Sequence, residues 1–253
     1  MGPSSIARIK EELSQAHRLS PERKQMLEND PRKGVRRLFR LWEERQFRAR
    51  RLIEKFNEMN RMEDDLHGQG VKNIAGIDEA GRGPLAGPVV AACVILNPTV
   101  VLPGINDSKQ LSATKRNEYY DQIKKTAVSI GIGIVSAHEI DEINIYRAAK
   151  KAMLLAVGQM SVRPGHLLID AMELPVDLDQ TSLIKGDARS NSIAAASIIA
   201  KVTRDRIMDG LDEVYPGYGF SGHKGYGTRQ HLQAIGKLGP CPEHRLTFAP
   251  LKR

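Results

Sequence analysis

The sequence predicts an α/β fold: a mixed β-sheet flanked by helices, preceded by an all-helical N-terminal arm. Three observations lead there. The first 70 residues carry apolar residues at helical spacing and only four glycines, Gly2, Gly34, Gly68 and Gly70. Two strand-like runs then follow each other across a glycine-rich turn. From there strand-like and helix-like segments alternate, as in mixed sheets covered by helices. With 253 residues, 41% hydrophobic and 27% charged, the chain is long enough to bury a sizeable core.

The arm is taken as 1–70 and the body as 71–253. In the arm Ile6, Ile9, Leu13 and Ala16 recur at helical spacing. Ser20-Pro21 and Asp30-Pro31 each read as an N-cap followed by proline at the first helical position. From Val35 onward Leu38, Phe39, Trp42, Ala49, Leu52, Ile53, Phe56 and Met59 hold one apolar face. HGQG at 67–70 reads as a linker, and every chemistry-bearing residue lies beyond it. The aromatic residues Phe39, Trp42, Phe47 and Phe56 require a partner surface.

In the body, Ile74–Asp78 and Val89–Leu96 are expected strands, and Ser129–Val135, His166–Asp170 and a run ending at Leu183–Ile184 are three more. Ser112–Thr126, Asn144–Met160, Ser192–Leu211 and Thr228–Leu238 read as helices. The small-residue run Ile193–Ala200 suits close packing of a helix on a sheet.

Net charge is +8, which favours an anionic partner. The longest apolar stretches fall far short of the roughly 18 residues of a membrane span. The opening MGPSSIARIKEEL reads as a helix start rather than an apolar leader. Two cysteines make neither a disulfide framework nor a zinc site by themselves. Cys93 belongs in the core, and Cys241 and His244 in an extended tail. A cytoplasmic protein is expected.

The chemistry concentrates where apolar strands end in acids. Ile74-Ala-Gly-Ile-Asp78-Glu79 runs into Ala-Gly81-Arg82-Gly83-Pro84-Leu-Ala-Gly-Pro88; His166-Leu-Leu-Ile-Asp170 and Leu183-Ile-Lys185-Gly186-Asp187 repeat the device. Any one of these acids alone suits a turn or an N-cap. Three apolar segments ending in carboxylate imply a convergent cluster that repels itself unless cations intervene. Oxygen ligands without Cys/His spacing point to Mg²⁺ or Mn²⁺, and the cluster suits two-metal phosphoryl transfer. Gly217–Lys224 is not a phosphate-binding loop, because no lysine follows its second glycine, and no G-x-S-x-G elbow occurs.

Together IAGIDEAGRGPLAGPVVAA (74–92), INDSKQLS (105–112), HEIDEINI (138–145), LLID (167–170), IKGDARSNSIAAASIIAKVTRD (184–205) and YGFSGHKGYGT (218–228) resemble bacterial ribonuclease HII, the type 2 ribonuclease H. The resemblance implies a ribonuclease H-like fold and a metal-dependent endonuclease. Such an enzyme cuts the RNA strand of RNA–DNA hybrids and incises 5′ to single ribonucleotides in duplex DNA, leaving 3′-hydroxyl and 5′-phosphate ends. It implies metal ligation by Asp78, Glu79 and Asp170, with Asp187 as the fourth acid ahead of Asp205 and Asp209. It assigns Gly81-Arg82-Gly83 to reading the 2′-hydroxyl and Tyr226 to packing on the adjoining deoxyribose. Lys109 and Lys185, with Lys201 and Arg204, are candidate phosphate contacts. Ala171-Met172 stands where the family often has Gly-Asn, a departure that spares the ligand and bears on substrate contacts.

The sister ribonuclease HIII usually carries a β-containing domain in front and lacks the arginine of Gly81-Arg82-Gly83; the helical arm and Arg82 favour HII. A non-catalytic binding protein on this fold would be expected to lose an acid, and all four are present. The expected partner is nucleic acid, the expected state a monomer, and the arm is open to a duplex, a protein partner or packing on the body.

Overall fold

The computed structural model describes residues 4–252. The chain divides into two compact units, up to Lys55 and from Phe56 onward.

The first unit holds helices α1 (Ile6–Gln15), α2 (Pro21–Glu28) and most of α3 (Lys33–Met59). Ser5 and Ser20 cap α1 and α2 by accepting from Arg8 N and Arg23 N, and Pro21 opens α2 as expected. The third helix starts later than Asp30-Pro31 suggests. The Asp30 carboxylate is taken up by the Arg32 backbone and guanidinium, so it closes a turn instead of capping a helix. Ile9, Leu13, Leu27, Val35, Phe39 and Trp42 form this unit's core. The indole of Trp42 donates to Ala16 O at 2.9 Å, and Arg23 grips Glu12 through two nitrogens. Phe39 and Trp42 are thereby accounted for, while Phe47 stays exposed.

The second unit begins inside α3. Phe56 and Met59 join the buried cluster that includes Ala92, Val94, Ile198 and Ile199. Helix α4 (Arg61–Gly68) extends into the segment read as a linker, and its Glu63 accepts from Ser190 Oγ at 2.7 Å and Ser192 N at 3.0 Å. Packing thus divides the chain at Lys55, earlier than the composition break near residue 70, because residues 56–68 contribute side chains to the body's interior.

The remaining elements are β1 (Ile74–Ala80), β2 (Val89–Ile95), α5 (Ala113–Thr126), β3 (Ser129–Val135), α6 (Ala137–Ile143), α7 (Ile145–Gly158), β4 (His166–Asp170), β5 (Gln180–Leu183), a 3₁₀ turn (Gly186–Ala188), α8 (Asn191–Val214), α9 (Phe220–His223) and α10 (Arg229–Leu238). The strand order is β3-β2-β1-β4-β5. β1, β2 and β3 pair antiparallel, while β4 lies parallel to both β1 and β5, so the sheet is mixed. One face, with Ala75, Ile77, Cys93 and Ile169, packs on Ala148, Ala152 and Met153 of α7. The other, with Ala92 and Val94, packs on Ala195, Ile198 and Ile199 of α8. A Cβ at Gly76 would lie 2.0 Å from the Ser192 carbonyl carbon, so a side chain there would push α8 off the sheet.

Candidate active site

Strand alternation places the acids. Ile77 and Ile169 are register partners on the parallel strands β1 and β4, and both face the α7 layer. Asp78 and Asp170 occupy the next position of each strand, so they lie side by side and face α8. β1 continues past its predicted end, and Glu79 pairs with Ala91 of β2. Leu183, the last residue of β5, is the register partner of Asp170. Beyond it the chain turns through Lys185 in the left-handed region (φ 56°) into the 3₁₀ turn. There Gly186 N donates to Asp170 Oδ1 at 2.7 Å. A Cβ on Gly186 would sit 2.5 Å from Ile193 Cδ1, so that approach requires glycine. The turn delivers Asp187, nearly buried, to the same strand ends.

The cluster is electrostatically unfavourable. Burial, then the charge of Glu79 and of Asp170, pushes Asp78 well above the ordinary carboxylate range, against a weaker pull from the Ser197 hydroxyl. Burial also raises Glu79, although Arg82 donates to its Oε1 at 3.1 Å. Asp187 is pushed up to about 6, by burial first and then by Asp107 and Asp170. Asp107, from the 105–112 motif, is therefore a fifth acid at the site, one the sequence reading did not single out. Lys109 is raised: burial pulls it down, but Asp107, Asp78 and Asp187 outweigh that. Lys109 therefore stands beside the acids, whereas exposed Lys185 interrupts the turn between β5 and Asp187. The two rival acids are already neutralised, Asp205 by Lys201 at 2.7 Å and Asp209 by Lys224.

Among the described residues no three His, Cys, Asp or Glu side chains form a ready-made metal-ligand group. The donor set nevertheless fits a hard cation. Asp78, Glu79 and Asp187 are all raised by burial, and Glu79 Oε2 is buried without any hydrogen-bond partner. An orphaned carboxylate oxygen in such a place is costly unless a cation completes it.

The glycine-rich loop beside the acids is held from behind. Buried Arg245 donates to Gly81 O at 2.7 Å, Arg82 O at 3.0 Å and Gly87 O at 2.7 and 3.0 Å. Buried Arg204 donates to Ala86 O at 3.0 Å, Pro88 O at 2.9 Å and Lys224 O at 3.0 Å. Gly81 has φ 96°, and a Cβ there would lie 2.1 Å from Arg204 Nε. Leu85 N donates to Gly225 O, and the Tyr226 ring lies 3.7 Å from where a Cβ of Gly83 would be. Gly81-Arg82-Gly83 and Tyr226, well over a hundred residues apart, are thus neighbours.

Two expectations change. Arg204 is no phosphate contact: it is 1% exposed and its guanidinium is spent on three carbonyls. Lys201 is likewise engaged by Asp205. Nor is the C-terminal segment an extended tail. His244 is buried against Tyr218 and Phe220, and its Nε2 lies 3.1 Å from His231 Nε2. His231 Nδ1 donates to Tyr226 O at 2.9 Å, so its Nε2 accepts from His244, whose Nδ1 accepts from Cys241 N. This chain holds the backbone of Tyr226. Its sequence signal was a pair of isolated histidines, which spacing alone could not join. Cys93 is in the core as expected, its thiol pushed up to about 12 by burial.

A mixed five-stranded sheet with acids at its strand ends defines the ribonuclease H class of nucleases, and solved structures agree. The ribonuclease H2 of Pyrococcus horikoshii superposes with a TM-score of 0.61 at 26% identity, covering 70% of this chain and 94% of that one. The RNase HII in the PCNA:RNase HII complex from Archaeoglobus fulgidus gives 0.59 at 27% identity, over 69% and 94%. Bst-RNase HIII in complex with Mn²⁺ shares the fold at 20% identity, with a TM-score of 0.52 over 71% and 68%.

The family model described as Ribonuclease HII matches residues 75–250, and that described as Ribonuclease HII N-terminal domain matches 5–67. Ribonuclease HII of Bacillus cytotoxicus is 54% identical over all of this chain and 97% of its own length; that of Bacillus mycoides is 57% identical over 91% and 90%. The chain belongs to the ribonuclease HII family. It is a ribonuclease H, an endonuclease of RNA–DNA hybrids, which sets aside the HIII and non-catalytic alternatives. Among the described residues no helix is long and apolar enough to cross a membrane.

Proposed function

We propose that this enzyme incises duplex DNA on the 5′ side of a single embedded ribonucleotide, as well as cutting longer RNA stretches in hybrids. One observation carries the reading: the acids at the ends of β1 and β4 share a site with Gly81-Arg82-Gly83 and Tyr226. The 2′-hydroxyl is the feature that tells RNA from DNA locally, and backbone groups of a rigid turn can read it. Arg204 and Arg245 make the turn rigid, and Tyr226 offers a ring to the sugar that follows. Asp78, Glu79, Asp170 and Asp187 would hold Mg²⁺ or Mn²⁺, the latter seen with Bst-RNase HIII. Bound there, two such ions supply activation of water and stabilisation of the leaving 3′-oxygen. Lys109 and Lys185 add positive charge for backbone phosphates.

The biological setting is removal of ribonucleotides from DNA during replication and repair, in the cytoplasm, by a monomer whose arm adds contacts to nucleic acid or to a partner. The deciding experiment offers matched duplexes with no, one and four ribonucleotides under single-turnover conditions with Mg²⁺ or Mn²⁺. The one- and four-ribonucleotide duplexes are cut, the former at its 5′ side, and the all-DNA duplex is inert. An uncut single-ribonucleotide duplex overturns the reading.

A further inference from the structure

The chain's charge is concentrated where its chemistry is not. Residues 1–55 hold 15 Lys/Arg and 8 Asp/Glu, a net of +7 out of the whole chain's +8. Residues 56–253, which carry every acid of the site, are left with +1. A polyanionic substrate therefore meets a nearly neutral catalytic body, with the attraction stored in the other unit.

That charge is ordered along α3. At 100° per residue, Lys33, Arg37, Arg40, Glu44, Arg48, Arg51 and Lys55 fall within roughly 80° of one another. All seven are exposed, whereas Val35, Phe39 and Trp42 on the opposite side are buried in the unit's core. Six cations share this sector of α3 with two acids, Glu44 and, at the far end of the helix, Glu58; between Lys33 and Lys55 Glu44 alone interrupts the cations. Solvated helix faces ordinarily interleave the two signs in i,i+4 pairs. Here the one pair is Arg48 with Glu44 at 3.7 Å, and Lys33, Arg37, Arg40, Arg51 and Lys55 have no acidic partner among the described residues. The stripe runs about 33 Å at 1.5 Å per residue. One turn of B-form duplex occupies roughly 34 Å.

We infer that the Lys33–Lys55 face of α3 is a binding surface for the phosphate backbone of duplex nucleic acid, independent of sequence and of the ribonucleotide. Its length and its strong excess of positive charge match a duplex backbone. The inference deepens the reading of a duplex substrate and locates its non-specific affinity outside the catalytic unit.

The test is the full chain with Arg37→Gln, Arg40→Gln, Arg48→Gln and Arg51→Gln combined, against wild type and the matching quadruple lysine variant. The probe is an all-DNA duplex, bound at salt from 50 to 200 mM. Each phosphate contact contributes about 0.9 to the slope of log affinity against log salt. The glutamine variant's slope is therefore shallower by about 3 to 4, and the lysine variant keeps the wild-type slope. With hybrid substrate the glutamine variant raises KM at least tenfold at 50 mM salt and leaves kcat unchanged. Unchanged helical content and melting temperature exclude misfolding, since all four side chains are exposed. Equal salt slopes in the glutamine variant and wild type overturn the inference. So does loss of binding to vesicles of anionic phospholipid with duplex binding intact, which would assign the stripe to a membrane surface. Duplex binding is read without cleavage, so a wild type that fails to cut the single-ribonucleotide duplex refutes the catalytic reading and leaves this one standing.

Discussion

Two clusters of buried charge sit behind the same glycine-rich loop, and they are built on opposite principles. Arg204 and Arg245 are taken fully out of water, yet every hydrogen bond they donate goes to a carbonyl placed to receive it. Burial draws them down to about 10 and about 9, which leaves both charged at neutral pH. The carboxylates of Asp78, Glu79, Asp170 and Asp187 repel one another, and Glu79 Oε2 has no partner at all. The arginine cluster is closed and holds the fold. The acid cluster is open, and an open buried charge is tolerated where a ligand completes it.

That contrast is most readily broken by neutralising one member of each cluster. Asp170→Asn keeps an oxygen for Gly186 N but removes a negative charge from the crowd. We expect cleavage to fall by roughly 10³-fold or more, above about 4 kcal/mol of barrier, while the melting temperature of the metal-free protein rises. Mg²⁺ at 100 times its dissociation constant stabilises the wild type by about 2.7 kcal/mol, and the variant less. Equal metal-induced shifts in the two proteins would place the cation elsewhere. Arg245→Met has the opposite sign. It strands the carbonyls of Gly81, Arg82 and Gly87 and costs about 2–4 kcal/mol, a drop of roughly 5–15 °C. A stable Arg245→Met protein would show that the loop does not need its support.

The two clusters were not equally legible in the sequence. The acids stand out because each ends an apolar run, and alternation along parallel strands is enough to bring Asp78 and Asp170 together. The arginines were hidden. Arg204 lies on a helix among Lys201, Asp205 and Arg206 and looks like surface, and nothing local marks Arg245 as buried. What buries them is the return of residues 243–245 to residues 85–87, through Gly87 N to Glu243 O and Arg245 N to Leu85 O, backbone bonds that close 156 and 160 residues of chain. Asp107 was missed for the same reason, since only the folded chain sets it beside Asp187. The compact units part at Lys55, ahead of the composition break near residue 70, because Phe56 and Met59 continue the arm's helical period while packing in the body. Periodicity reports that a residue is buried, not what it is buried against.

Titration sharpens the contrast next. A carboxyl raised in the folded state binds more protons folded than unfolded, so its burden is felt above its folded pKa and vanishes below its unfolded one. Metal-free Asp187→Asn should be more stable than wild type at pH 8. That advantage should shrink as pH falls through about 6 and disappear below about 3.8. His231 runs the other way. Burial holds its pKa down at about 4 from 6.5, so it stays neutral folded while the unfolded histidine protonates, and stability is lost as pH falls through that interval. His231→Gln should flatten this acid limb between about pH 6.5 and 4 and leave the pH dependence above pH 7 unchanged. An Asp187→Asn advantage that persists at pH 3.5 would mean the relief is not electrostatic. The measurement is the melting temperature across pH 3.5–8 with chelator present.

The smallest effect lies at the joint between the acids and the rest of β4. Ala171 follows Asp170 with φ 48°, in the left-handed region, and its N donates to Leu183 O at 3.0 Å, so the turn cannot relax without breaking that bond. An L-residue there costs roughly 1–2 kcal/mol relative to unstrained backbone. Glycine adopts the conformation freely but loses more entropy on folding, roughly 0.5–1 kcal/mol. Ala171→Gly should therefore gain between nothing and about 1.5 kcal/mol, or up to roughly 3–6 °C. Because Asp170 Oδ1 and Gly186 N stay in register, its cleavage rate should remain within about twofold of wild type, under 0.5 kcal/mol of barrier. A loss of stability would show that the alanine methyl makes a contact worth more than the strain it carries. A large loss of activity with stability intact would mean that the stiffness of this turn aims Asp170, and the open cluster would then depend on backbone strain where the closed one depends on hydrogen bonds.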